Sequence, residues 1–81
     1  GGLKIYPNPV SSNEQLRLDL EKANGKLHFQ VFDIYGKVIN EMEQDFLSKE
    51  KAILTLDVSD IPAGIYFIKT STGQVGQFLK Q

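Results

Sequence analysis

The sequence predicts an all-β fold, a seven-stranded antiparallel β-sandwich of immunoglobulin-like architecture. Three observations carry this expectation. Short segments alternate apolar and polar residues, turn residues recur roughly every ten positions, and a Pro–Gly corner at 59–64 delivers Tyr66 into an apolar strand. The chain has 81 residues. That length suits one domain over residues 1–81, because a second hydrophobic core would need more chain.

The expected strands follow in order. Leu3–Tyr6 is a short first strand, stopped by Pro7-Asn8-Pro9. Gln15–Glu21 sets Leu16, Leu18 and Leu20 on one face, with Gln15, Arg17, Asp19 and Glu21 on the other. Asn24-Gly25 then reads as a hairpin turn, since both residues tolerate positive φ. The return strand, Lys26–Asp33, places Leu27, Phe29 and Val31 inward and His28 and Gln30 outward, with Phe32 interrupting the polar face. Asp33-Ile34-Tyr35-Gly36-Lys37 is a turn in which the Asp33 carboxylate can accept a forward backbone amide and Gly36 suits a left-handed conformation.

A fourth strand is expected over Lys37–Glu43 and a loop over Gln44–Glu50, where no apolar face is long enough to hold a helix. A fifth, Lys51–Val58, puts Ala52, Leu54, Leu56 and Val58 on one face. Ser59–Gly64 is a corner built on Pro62 and Gly64. The sixth strand, Gly64–Ser71, opens with four apolar residues and is expected to be central; Thr72-Gly73-Gln74 turns it into a last strand, Val75–Lys80. At the corner, the Tyr66 hydroxyl can bond back to upstream backbone, as in the tyrosine corner of immunoglobulin-like domains.

Composition narrows the function classes. Nine Lys plus Arg against ten Asp plus Glu leave a net charge of −1, and the lysines are spread along the chain, so no basic face suits nucleic acid. With no Cys there is no disulfide framework, thiolate metal site or thiol nucleophile. The longest aliphatic or aromatic run, Ile65–Ile68, is far short of a membrane-spanning helix. Gly1-Gly2 without Met reads as a tag or linker remnant of an excised piece, with any export signal lying upstream.

Catalysis has little to work with. His28 is the one imidazole and sits on a polar strand face, where a solvated surface role is expected. Asp57 and Asp60 flank a corner and read as turn-forming carboxylates before a cation site; Glu41, Glu43 and Asp45 read as a solvated strand edge. No phosphate loop, Ser-His-Asp arrangement or spaced acidic pair is present, so the chain is not expected to be an enzyme or to need a cofactor or metal. A carbohydrate-binding role would have to use Tyr35, Phe32 or Phe46 as a stacking platform, since Trp is absent.

Three motifs form a recognisable set: Tyr6-Pro7-Asn8-Pro9-Val10, then Val31–Val38 around Asp33, Gly36 and Lys37, then Leu56–Ile68 around Pro62, Gly64 and Tyr66. In this order and spacing the chain, from Leu3 to its end, resembles the type A C-terminal sorting domain of the Bacteroidetes type IX secretion system. The resemblance implies a non-catalytic secretion label at the C-terminus of an unrelated cargo. The parent would pass through the periplasm, be recognised by the outer-membrane translocon, and reach the cell surface or medium. A surface sortase would remove the label. The alternative is an accessory β-sandwich that binds carbohydrate or spaces a catalytic domain.

Candidate recognition residues are Tyr6, Pro7, Asn8 and Pro9 of a rigid, extended leading segment, and Phe78, Leu79, Lys80 and Gln81 of the last strand, both expected to be exposed. The last strand is further expected to offer a free edge to a receptor strand, and its final four residues to be separable from the fold. Where many members carry several lysines in that strand, Lys80 stands among Gln74, Gln77 and Gln81. Asp33, Gly36, Lys37, Pro62, Gly64 and Tyr66 are read first as turn and corner chemistry. A monomer is the default, with no membrane insertion.

Overall fold

The computed structural model describes residues 3–81, with residues 48–50 described in backbone only. Gly1 and Gly2, and the remnant reading of them, lie outside the described residues. The fold is all-β. Five strands form one antiparallel sheet: β1 (Lys4–Tyr6), β2 (Leu16–Phe32), β3 (Val38–Leu56), β4 (Gly64–Thr70) and β5 (Val75–Lys80). Strand order is β1-β2-β4-β5, with β3 paired to β2.

The expectation of seven strands is corrected here. β2 and β3 run for 17 and 19 residues, and each joins two of the expected strands. Asn24-Gly25 is not a hairpin turn, nor is 44–50 a loop. Residues at positive φ serve a bulge within a strand as readily as a turn between strands. Here Lys22 has φ 55° and Gly25 φ 74°, and the β2–β3 register shifts between Ala23 and Gly25. The buried set of β2 changes phase at that point, from Leu16, Leu18 and Leu20 to Ala23, Leu27, Phe29 and Val31. In β3, Phe46 anchors a mostly polar stretch: it is buried, with its ring edge-on to Phe29 at 6.5 Å, while the neighbouring Leu47 is exposed.

The bulge lets one strand serve two neighbourhoods. Residues 17–19 of β2 pair with β1, and residues 29–32 pair with β4. β3 accompanies β2 throughout, from Leu16↔Leu56 to Phe32↔Val38. Leucines from the first half of β2 and Leu27, Phe29 and Val31 from the second join a single buried cluster with Leu54, Leu56, Tyr66, Ile68 and Phe78. The inner faces of both halves therefore share one interior. The sheet curls until β1 meets β5, where the Leu3 amide donates to the Val75 carbonyl at 3.4 Å. At that contact a Cβ on Gly76 would collide with the Ile5 side chain, so the glycine permits the close approach.

Two turns follow the sequence reading closely. The Asp33 Oδ1 accepts the amides of Tyr35 (2.9 Å) and Lys37 (3.0 Å), and Gly36 takes φ 82°. At the corner before β4, the Tyr66 hydroxyl donates to the Pro62 carbonyl at 2.6 Å while its buried ring stacks on Phe78 at 5.5 Å. The tyrosine thus ties a loop carbonyl to the core through one short bond. Tyr66→Phe should keep the ring packing and lose that bond, lowering unfolding stability by about 1 kcal/mol in a denaturant titration.

Candidate functional site

The residues singled out at the two ends of the chain meet. After β1, residues 7–9 bend instead of running extended, and Val10 forms a parallel bridge with Lys80. We call residues 7–10 the strap. Its central feature is the Asn8 carboxamide, which bonds β5 as a backbone peptide unit would: Nδ2 donates to the Gln77 carbonyl (3.2 Å), and Oδ1 accepts the Leu79 amide (2.8 Å). Val10 continues the same edge, its amide donating to the Leu79 carbonyl and its carbonyl accepting the Gln81 amide, each at 2.9 Å. With the Leu3–Val75 bond, four backbone groups of β5 and the amide of Gln81 beyond it are occupied by the chain's own leading segment.

This arrangement gives the Pro-Asn-Pro motif a physical reason. Pro7 and Pro9 carry no N–H and cannot extend a ladder, so a strap built on them leaves the side chain between them as the pairing group. Only a carboxamide of Asn length offers a donor and an acceptor at peptide-like spacing. The expectation of a free terminal edge is corrected accordingly: over Gln77–Gln81 the β5 edge is engaged by Asn8 and Val10.

Exposure in the last strand also departs from expectation. Strand alternation turns Phe78 and Lys80 into the interior, at 1% and 2% exposure, and leaves Leu79 and Gln81 outward. The Lys80 ammonium is held by the Ile61 carbonyl at 2.8 Å. The final four residues therefore belong to the core and to the strap contact, and are not separable from the fold. Pro7, like Tyr6, is half-buried, whereas Asn8 and Pro9 are exposed. The Tyr6 hydroxyl donates to Asp19 Oδ1 at 2.8 Å, and this bond, ahead of burial and the Asp19 charge, pushes the phenol above its ordinary pKa. Lys4 closes the group, its ammonium 3.8 Å from Asp19 Oδ2 and 5.5 Å from the Tyr6 ring centre.

The remaining ionisable candidates are scattered. His28 Nε2 lies 3.8 Å from Glu41 Oε2 on an open sheet face, a carboxylate neighbour that β2–β3 register supplies and sequence spacing hides. Asp57 Oδ1 accepts the Ser59 amide at 2.9 Å, and Glu14 Oε1 accepts both the amide and hydroxyl of Ser11. Hydrogen bonding from the Ser59 side chain, then from its amide, holds Asp57 below the ordinary carboxylate range, and the Ser11 hydroxyl, then its amide, does the same for Glu14. Among the described residues, no three His, Asp or Glu side chains gather at a point that would hold a metal. The surface hollows are open and mixed in character; one of about 540 Å³ is bordered by Lys4, Tyr6, Asp19 and Lys51.

The family model described as the secretion system C-terminal sorting domain matches residues 4–81. No curated protein and no solved structure matches the chain.

Two outcomes test this geometry. Asn8→Ala should lower stability by about 1–2 kcal/mol and speed hydrogen exchange at the Leu79 amide by more than at the β2–β3 amides. Because Asp57 and Glu14 have depressed native pKa values, the stability they contribute is complete above about pH 4.5 and is lost as pH falls through those values. Denaturant midpoints measured against pH should fall on the acid side, and Asp57→Asn should make that fall shallower.

Proposed function

The chain belongs to the secretion system C-terminal sorting domains, the type IX secretion label, and from that membership we propose how it performs the role. Membership implies a cargo fused ahead of the domain, and export to the cell surface or beyond. The single observation that carries our reading is the joining of the two chain ends: the segment that follows the cargo is bonded directly to the last strand. The domain's fold is closed only when residues 77–81 are seated against the strap.

On this reading residues 1–81 act as one non-catalytic domain whose sheet halves form the two layers of an immunoglobulin-like sandwich. The domain folds in the periplasm beside its cargo, is held by the outer-membrane translocon, and is removed by a surface sortase that cuts ahead of the domain body. Recognition uses the junction of strap and last strand. Tyr6, Pro7, Asn8 and Pro9 present one side and Leu79 and Gln81 the other, while Phe78 and Lys80 hold the junction rigid from beneath. Preorganisation of this kind lowers the entropy lost on docking. A monomer satisfies all of these steps.

Fusion of residues 1–81 to the C-terminus of a periplasmic reporter should carry the reporter to the surface of a type IX-competent host and not of a strain lacking the translocon. Retention of the folded fusion in the periplasm, with sugar binding by the domain alone, would instead identify an accessory carbohydrate module.

A further inference from the structure

One margin of the sheet stays open. Residues 17–19 of β2 pair with both β1 and β3, and residues 29–32 with both β4 and β3, so β3 alone holds one edge of β2. On the other side β1 meets β5 through Leu3, and β5 is closed by the strap. Among the described residues β3 pairs with β2 only, and no backbone bond from a loop or from the strap reaches its second edge. Unpaired donors and acceptors along a strand edge fit one kind of occupant, another extended strand.

The two halves of this edge differ. Antiparallel pairing of β3 with its own copy keeps inward residues opposite inward ones only where the twofold falls on a residue. In the first half Glu41, Glu43 and Asp45 are exposed at alternate positions, and every such register centred within residues 41–45 sets an acid opposite an acid. Registers centred between the halves must cross the irregularity where Lys49 and Phe46 face Ala23 and Gly25, which breaks the ladder. The second half is different. Residues 52–56 carry neither charge nor proline and include Ile53 and Thr55, both good strand formers. Lys51 stands immediately before them and Asp57 immediately after, and both are exposed.

We propose that residues 52–56 pair antiparallel with the same residues of a second copy of this chain, about a twofold at Leu54, giving a dimer with one sheet continuous across both copies. In that register Leu54 faces Leu54, Ile53 faces Thr55, and Lys51 faces Asp57 of the second copy. Symmetry makes the last two pairs occur twice. Of the registers centred within residues 52–56, this one alone sets Lys51 against Asp57, so charge selects it.

Both faces of the joined sheet are satisfied. The buried Leu54 and Leu56 stay on the inward side in each copy, so the apolar layer runs on across the twofold. On the outward side Ile53, 61% exposed in one chain, gains Thr55 of the other as a β-branched neighbour. The pairing goes beyond the sorting reading and does not depend on it. The strap and β5 lie across β2 from this edge and remain free in the dimer.

The test is sedimentation equilibrium of the 81-residue chain over concentrations reaching about 1 mM, the weak end of specific affinity. The chain should dimerise. Lys51→Glu and Asp57→Lys should each weaken the dimer at least about tenfold, because each sets like charges face to face at both symmetric sites. Mixing the two variants should restore association, since unlike charges then meet at both sites. Circular dichroism melts establish that each variant is folded. Where Asp57→Lys unfolds the domain by losing its bond to the Ser59 amide, cross-linking reads the register instead. The chain contains no cysteine, so Ile53→Cys mixed with Thr55→Cys should give a disulfide-linked heterodimer faster than either variant links to itself. A monomer throughout the series would overturn the proposal. So would a dimer indifferent to both reversals, a mixture of folded variants that fails to associate, or cross-linking without preference for the mixed pair.

Discussion

The ribbon formed by β2 and β3 is the constraint on which the rest of the structure depends. Its two strands stay paired from Leu16↔Leu56 to Phe32↔Val38, far beyond the usual strand length, and the chain bends inside the pairing instead of ending it. Lys22 in the left-handed region and the register shift at Gly25 allow that bend. Because β2 changes direction there, β1 and β4 both use the same strand without competing for the same residues. Both halves of β2 then turn their leucines, Phe29 and Val31 toward one interior. A chain of this length has little core to spare, and sharing a single cluster between two sheet halves is how it gains enough burial.

The curled sheet brings the chain ends together, and their contact is made by polar groups. Asn8 stands in for a peptide unit, Val10 supplies a true one, and Lys80 fixes the Ile61 carbonyl from inside. An edge strand that would otherwise invite pairing with another chain is closed by the domain's own leading segment. The sorting label is consequently coupled end to end: disturbing the segment next to the cargo disturbs the last strand. Residues 78–81 thereby complete both the core and the strap contact.

The sequence was legible wherever a local rule acted alone. Alternation found the inward leucines of β2 and the inward set of β3's second half, the Asp33 carboxylate and Gly36 marked their turn, and Pro62, Gly64 and Tyr66 marked the corner whose hydroxyl bond the structure contains. The spacing of these motifs identified the family. Phe46 was missed because the adjacent pair Phe46-Leu47 in a polar stretch has no period to say which of the two turns inward. The phase change between Leu20 and Ala23 was available as a signal, since three leucines at spacing two are followed by an inward alanine after a gap of three.

What the sequence determined by itself was the class of the fold, the Asp33–Lys37 turn and the corner before Tyr66, the family, and the absence of cysteine and tryptophan chemistry. Tertiary structure decided whether Asn24-Gly25 ended a strand or bent one, because positive φ is compatible with both and only the pairing partner distinguishes them. It likewise decided the roles of Asn8, Phe78 and Lys80. Their partners lie 69 and 71 residues away along the chain for Asn8 and 19 for Lys80, separations at which no local pattern records a contact.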